Sequence, residues 1–284
     1  MSKVLKKWWP LFVLPTALSF VFGFVIPFVQ GTYLSFCQFK VISDTTFVGL
    51  RNYVDALSDS QFMSSFGFTA LFAVTVTVLV NVFALAIALA LTRNRLRGTN
   101  AYRTVFFMPN LIGGIVLGYI WQILINCVLS NVGADLLALN TVAGYWGLVL
   151  LTLWQQVGYM MIIYIAGLQS IPTDYIEAAK VDGANAWKTL WKVKIPNLMP
   201  TITICLFLTI TNAFKLFDQN LALTGGDPNH STEMLALNIY NTFYSRVGAK
   251  WMGIGQAKAV IFCILVVAIS LIQLRATKSK EVQQ

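Results

Sequence analysis

Charge is what this chain has least of. Asp, Glu, Lys and Arg make up 11% of its 284 residues, where a soluble globular domain carries roughly 25%. Histidine occurs once, at His230, inside a Gly/Asp/Pro/Asn stretch that suits a solvated side chain better than a metal ligand. The four cysteines (Cys37, Cys127, Cys205 and Cys263) have no paired spacing and read as small apolar residues rather than disulfide or metal partners. There is no Gly-x4-Gly-Lys-Ser/Thr phosphate loop, no His/Cys cluster suited to zinc and no carboxylate pair within an apolar stretch. These absences leave no support for metal chemistry, nucleotide hydrolysis or acid–base catalysis by this chain. No linker or internal repeat divides it, so residues 1–284 read as a single domain.

What is abundant is apolar. The chain is 57% hydrophobic with a mean hydropathy of +0.70. Residues 8–39, 60–92, 104–134, 136–173, 195–214 and 259–274 contain no Asp, Glu, Lys or Arg. A bilayer core of ~30 Å needs about 20 apolar residues of helix. Six spans follow, near 11–35, 66–91, 104–126, 145–168, 198–218 and 257–274. The fold class is all-α integral membrane with six transmembrane helices. A cleavable leader is disfavoured for the first segment, because its apolar stretch exceeds the usual 7–15 residues and no small-residue cleavage site stands out.

Basic residues orient the spans. The N-terminus has three (Lys3, Lys6, Lys7), the second-to-third connection four (Arg93, Arg95, Arg97, Arg103), the fourth-to-fifth four (Lys180, Lys188, Lys192, Lys194) and the tail three (Arg275, Lys278, Lys280). Fourteen of the twenty basic residues thus fall on one side, which is expected to be cytoplasmic with both termini. Seven of the eleven acids fall on the other, among them Asp44, Asp55, Asp59 and Glu233. The net charge of +9 is therefore a topology signal, not a nucleic-acid footprint.

Residues 172–200 form a polar, cationic insertion between two apolar stretches. Asp174 and Glu177 have the spacing of a capping box after Pro172, and Gly183 suits a helix stop. Ala178 and Ala179 leave one side of that short helix nearly bare. Asn185 opens a second short helix with Trp187, Leu190 and Trp191 on one face, which Pro196 and Pro200 are expected to end. A helix–turn–helix projection shaped for another protein's cleft results.

The run Glu177-Ala178-Ala179-Lys180-Val181-Asp182-Gly183, with Val193 and Ile195-Pro196, resembles the cytoplasmic signature of permease subunits of ATP-binding-cassette importers. That pattern is Glu-Ala-Ala, three residues, Gly, nine residues, an aliphatic residue, one residue and Leu-Pro; only Ile195 departs from it. Phe47-Val48-Gly49-Leu50-Arg51-Asn52-Tyr53 and the run from Arg103 to Pro109 are similar to the carbohydrate (maltose-type, multiple-sugar) branch, and Ala166 to Pro172 also resembles the family. Leu223-Thr224-Gly225-Gly226-Asp227-Pro228 resembles a turn near the docking face for a solute-binding protein, with Asp227 inserted. The resemblance implies coupling residues Glu177, Ala178, Ala179, Asp182, Gly183 and Pro196, and docking residues Gly225, Gly226 and Pro228. It implies a bacterial or archaeal plasma membrane setting, a second permease, two cytoplasmic ATPase subunits holding ATP and Mg, and an external sugar-binding protein. No cofactor is expected in this chain.

A sugar path needs amides, phenols and aromatic faces rather than fixed charge. Gln155 and Tyr159 lie four apart on the fourth span, with Gln156 and Trp154 nearby; Thr209, Asn212 and Lys215 recur every three residues on the fifth. Tyr159 and Thr209 fall at sugar-contacting offsets in the resembled family. Hydrogen bonds that only hold the bundle remain an alternative for each. Lys215 and Asp218 are either a gate pair or snorkelling charges. Gly114 and Gly118 permit close helix approach, within the subunit or to a second permease. A permease for glycerol-phosphate or another polar solute is the alternative cargo class. A stand-alone secondary transporter is disfavoured by the scarcity of intramembrane ionisable groups.

Overall fold

The computed structural model describes residues 3–92 and 98–278. Arg93, Arg95, Arg97 and Lys280 lie outside the described residues. In chain order the helices are α1 (Lys3–Phe20), α2 (Ile26–Leu34), α3 (Arg51–Ser58), α4 (Ser60–Leu91), α5 (Thr99–Phe107), α6 (Gly114–Asn131) and α7 (Thr141–Gln169), then α8 (Thr173–Val181), α9 (Ala186–Thr189), α10 (Ile195–Asn197), α11 (Met199–Phe214), α12 (Asp218–Leu223), α13 (Leu235–Tyr244) and α14 (Ala249–Lys278). One hairpin, β1 (Cys37–Val41) and β2 (Asp44–Phe47), pairs antiparallel with Cys37 opposite Phe47. Five helices are long and apolar enough to cross a membrane, and a sixth span arises if the pair Ala186–Asn197 and Met199–Phe214, bent by 70°, counts as one.

Several of the expected spans have different bounds in the structure. The charge-free run 104–134 does not hold a helix over 104–126: α5 ends at Phe107, a 3-10 turn follows over Met108–Leu111, and α6 begins only at Gly114. Pro109 supplies no backbone donor and Gly113 is extended, so the ladder breaks there. The fifth span, expected over 198–218, stops at Phe214, and α12 starts separately at Asp218. The fourth begins earlier than expected, at Thr141, because the Asn140 side chain accepts from the backbone N–H of Val142 (2.9 Å) and Ala143 (3.1 Å).

The chain divides into two compact units. The first runs to Ser60 and resumes over Ile239–Cys263. In it, α1, a π turn (Val21–Val25) and α2 make an apolar rod, Leu11–Leu34, with no residue buried within the chain; such a surface suits lipid. The Phe-x-Gly-Leu-x-Asn-Tyr element has a physical basis here. Gly49 turns the chain at φ +60°, and the Asn52 amide donates to the carbonyls of Ser35 and Cys37, both at 2.9 Å. Tyr53 meets the Ser35 hydroxyl and lies tilted against Phe36, and Ala56 packs on Ile254 and Ala257. Lys258, on α14, is fully buried and donates to Asp59 (2.8 Å) and Thr242 (2.9 Å). Arg246 joins Asp59 at 3.0 Å while lying over the Trp251 ring. A buried cation is tolerable only with such partners.

The second unit covers Gln61–Asn238 and resumes at Ile264. Its spine is α7, which is mostly buried along its apolar stretch. Gly158 lets α7 press against the backbone of Phe106, and Gly167 makes room for Thr201 on α11. A buried polar chain ties three helices: Tyr164 donates to Asn81 (2.7 Å), and Asn81 donates to Thr209 (3.2 Å). Gly114 and Gly118 settle as an internal seam, where a side chain would strike Asp218 and Gln219, or Ala222, on α12.

Candidate functional site

A cavity of about 340 Å³ opens in the second unit where α7, α11, α12 and the turn before α6 converge. Five carboxamides line it: Asn110, Gln155, Gln156, Asn212 and Gln219. Lys215 and Asp218 add one charge of each sign, and Leu216 and Phe217 supply apolar wall. The broken span matters here. Ile112, at the end of the 3-10 turn, offers a carbonyl that Gln155 takes up from Nε2 at 3.3 Å, while Gln219 donates to Gln155 Oε1 at 2.7 Å. One side chain of α7 therefore joins the unwound stretch to α12. Gln156 Oε1 is shielded and has no hydrogen-bond partner in this conformation. Chemically, the wall offers amide donors and acceptors in both senses, which match hydroxyl groups.

Some of the expected path residues meet at this cavity and others do not. Gln155, Asn212, Lys215 and Asp218 come together at the cavity, whereas Tyr159 and Thr209 are not on its wall. Thr209 is fully buried, its hydroxyl donating to the Cys205 carbonyl (2.6 Å) and accepting from Asn81. Tyr159 and Thr209 sit one helical turn from Gln155 and Asn212, towards the α8 end of their helices. Asn110, Gln156 and Gln219 also line the cavity, beyond the residues expected there from the sequence. Gln219 directly follows Asp218, and Asn110 follows the helix-breaking Pro109, which were the available signals. Lys215 and Asp218 are not ion-paired; the ion pairs among the described residues lie elsewhere.

Beyond α12 the chain makes a tight turn through Gly225 (φ +60°) and Gly226 (φ +95°), a conformation that favours glycine at both positions. Asn220 braces it, donating to Thr224 Oγ1 and the Thr232 carbonyl and accepting from the Met234 N–H. Gly225 is exposed, Gly226 is buried against Glu233, and Pro228 is half-buried. Glu233 is fully buried, accepting from Gln61 (3.0 Å) and Asn238 (2.9 Å). His230 is exposed at its side and stands 3.5 Å from the Glu233 carboxylate.

The polar insertion forms the expected pair of short helices, with two corrections. The helix begins at Thr173 with Pro172 at the N-cap and no side-chain cap bond, so Asp174 and Glu177 do not make a capping box; Asp174 lies in the first turn, where an acid complements the dipole. Nor do Pro196 and Pro200 end the second helix. Each stands near a helix start, and the chain bends by 70° between Asn197 and Met199. Gly183 does stop α8. At φ +73° it lets Ala184 N–H reach the Ala179 carbonyl (2.9 Å), the bond that closes a Schellman turn. Asn185 caps α9 through Lys188 N–H at 2.9 Å. Glu177, Ala178, Asp182 and Gly183 are exposed, Ala179 and Pro196 half-buried, and open space surrounds Gly183. Trp187 and Trp191 stack edge-on yet remain 67% and 54% exposed, an unusual amount of bare indole for a polar segment.

Residues 81–278 match the family model described as binding-protein-dependent transport system inner membrane component. The probable starch degradation products transport system permease protein AmyD of Thermoanaerobacterium thermosulfurigenes is 45% identical, over 97% of this chain and 96% of that one. The multiple sugar-binding transport system permease protein MsmF of Streptococcus mutans is 33% identical over 99% of both. Among solved structures, a chain of a bacterial ABC transporter involved in the import of the acidic polysaccharide alginate matches with a TM-score of 0.83, at 19% identity and 98% coverage of each. That last likeness carries the fold.

Proposed function

The chain belongs to the inner membrane components of binding-protein-dependent transport systems, and from that membership we propose that it is the permease subunit of an importer for uncharged oligosaccharides. The carboxamide-lined cavity is the observation that carries this reading, since five neutral amides around about 340 Å³ suit hydroxyl-rich cargo. The name of the 45%-identical relative, which handles starch degradation products, points the same way. Residues 1–284 act as one transmembrane domain with both termini cytoplasmic. A second permease completes the pore, and a binding protein docks beside the turn at Gly225, Gly226 and Pro228. Two separate ATPase subunits, holding ATP and Mg, grip α8 and α9 around Glu177–Gly183 and pull the bundle between its states.

Glycerol-phosphate is the competing cargo, and Lys215 alone favours it; Asp218 on the same wall opposes a phosphate. Uptake of labelled maltotriose and of glycerol 3-phosphate by cells with and without this gene separates the two. Loss of maltotriose uptake on deletion is expected, and loss confined to glycerol 3-phosphate overturns the sugar reading.

A further inference from the structure

We infer that Lys215 and Asp218 are a charge-balanced but unpaired couple that makes this cavity neutral and so selects uncharged cargo. The inference rests on the permease reading above. Both residues line the same cavity, and no ion pair joins them. No other Asp, Glu, Lys or Arg among the described residues lines it.

Each charge has its own reason to stay where it is. Lys215 is the C-cap of the 16-residue α11, where unsatisfied carbonyls favour a cation. Asp218 opens α12, and its Cβ lies so close to α6 that a side chain at Gly114 would collide with it. Residues 215 and 218 are therefore held on separate elements joined by Leu216 and Phe217, and they face the cavity independently.

This arrangement discriminates by charge. A hydroxyl-rich solute finds an ammonium to donate to its oxygens and a carboxylate to accept from its hydroxyl hydrogens, on top of the carboxamides. An anionic solute meets one favourable and one unfavourable charge on the same wall, so the cost of stripping its water is not offset. Neutralising one of the two would leave a net charge facing every solute that enters.

The test uses the complete importer, with Lys215→Gln, Asp218→Asn and the double variant. Two cargoes are presented by the same binding protein: maltotriose and the aldonate obtained by oxidising its reducing end. Because that protein is common to all variants, the ratio of aldonate to maltotriose uptake reports on the permease. Asp218→Asn should raise the ratio severalfold, Lys215→Gln should lower it severalfold, and the double variant should return it towards the wild type. Maltotriose uptake should fall in each single variant and recover in the double, with equal complex in the membrane by immunoblot. A ratio unchanged across all four proteins overturns the inference. So does a double variant slower on maltotriose than either single, an outcome readable even if the aldonate is not delivered. A wild-type complex that takes up glycerol 3-phosphate but no neutral oligosaccharide overturns the function reading instead.

Discussion

The carbonyl of Phe106 occupies the space that a side chain at position 158 would need. Because the obstacle is backbone at the end of α5, not a movable side chain, the two elements can touch only while residue 158 is glycine. Gly158→Ala should therefore force α5 from α7 and cost on the order of 1–3 kcal/mol or more. A lower thermal midpoint of the purified complex is the expected reading, and an unshifted midpoint would show that α5 yields freely.

Thr209 and Asn212 should respond in opposite ways. Thr209→Val keeps the shape but removes the hydroxyl that accepts from Asn81, leaving a buried amide short of a partner at a cost of about 1–3 kcal/mol. Less complex in the membrane is expected, with transport per complex unchanged. Asn212→Ala removes a cavity-wall amide and should slow uptake severalfold at normal complex levels. The reverse pattern, measured by immunoblot and initial rates, would move the cargo path one turn towards α8.

Gly183 stands in open space at φ +73° on the exposed projection. Gly183→Arg should spare the membrane bundle but weaken ATPase association and uncouple uptake from hydrolysis, both by strain at the left-handed position and by a bulky cation at the docking face. Undiminished co-purification and uptake in the variant would remove α8 from the coupling role.

The basic-residue asymmetry predicts an orientation that labelling can test. With single cysteine probes, Lys188 should be shielded from an impermeant thiol reagent in intact cells, while Asp55 and Asn229 should react. Asn94, a further probe on the shielded side, lies outside the described residues. Labelling at position 188 from outside would invert the topology.

The sequence revealed most where physical signals are one-dimensional. Charge-free runs located the helices because membrane insertion depends on local apolarity, and Gly183 stopped α8 because few other residues take that conformation readily. Breaks inside an apolar run were less visible. Nothing in the composition of 104–134 separates a continuous helix from one interrupted at Pro109 and Gly113, since proline and glycine are tolerated in many spans. The three-residue spacing of Thr209, Asn212 and Lys215 looked like one face, yet each step of three rotates a helix by about 60° short of a full turn. Thr209 consequently points to Asn81 while Lys215 reaches the cavity. The roles of Gln219 and Asn110 depend on where α12 and the unwound turn come to rest, which no local pattern encodes.

Lys258 pins α14 to the end of α3 and to α13. With its ammonium clasped by Asp59 and Thr242, α14 cannot slide past those neighbours by itself to follow a thicker or thinner bilayer. The charge-free stretch beyond it, residues 259–274, is about 24 Å long at 1.5 Å per residue, short of a hydrocarbon core of ~30 Å. Thickness mismatch must then be absorbed by the lipid or at the far end, where Arg275 follows. Transport in proteoliposomes should consequently peak in short-chain lipids and fall as acyl chains lengthen, and substituting Lys258→Met should flatten that dependence. A profile indifferent to chain length in the wild type would show that neighbouring helices, not this anchor, set the depth.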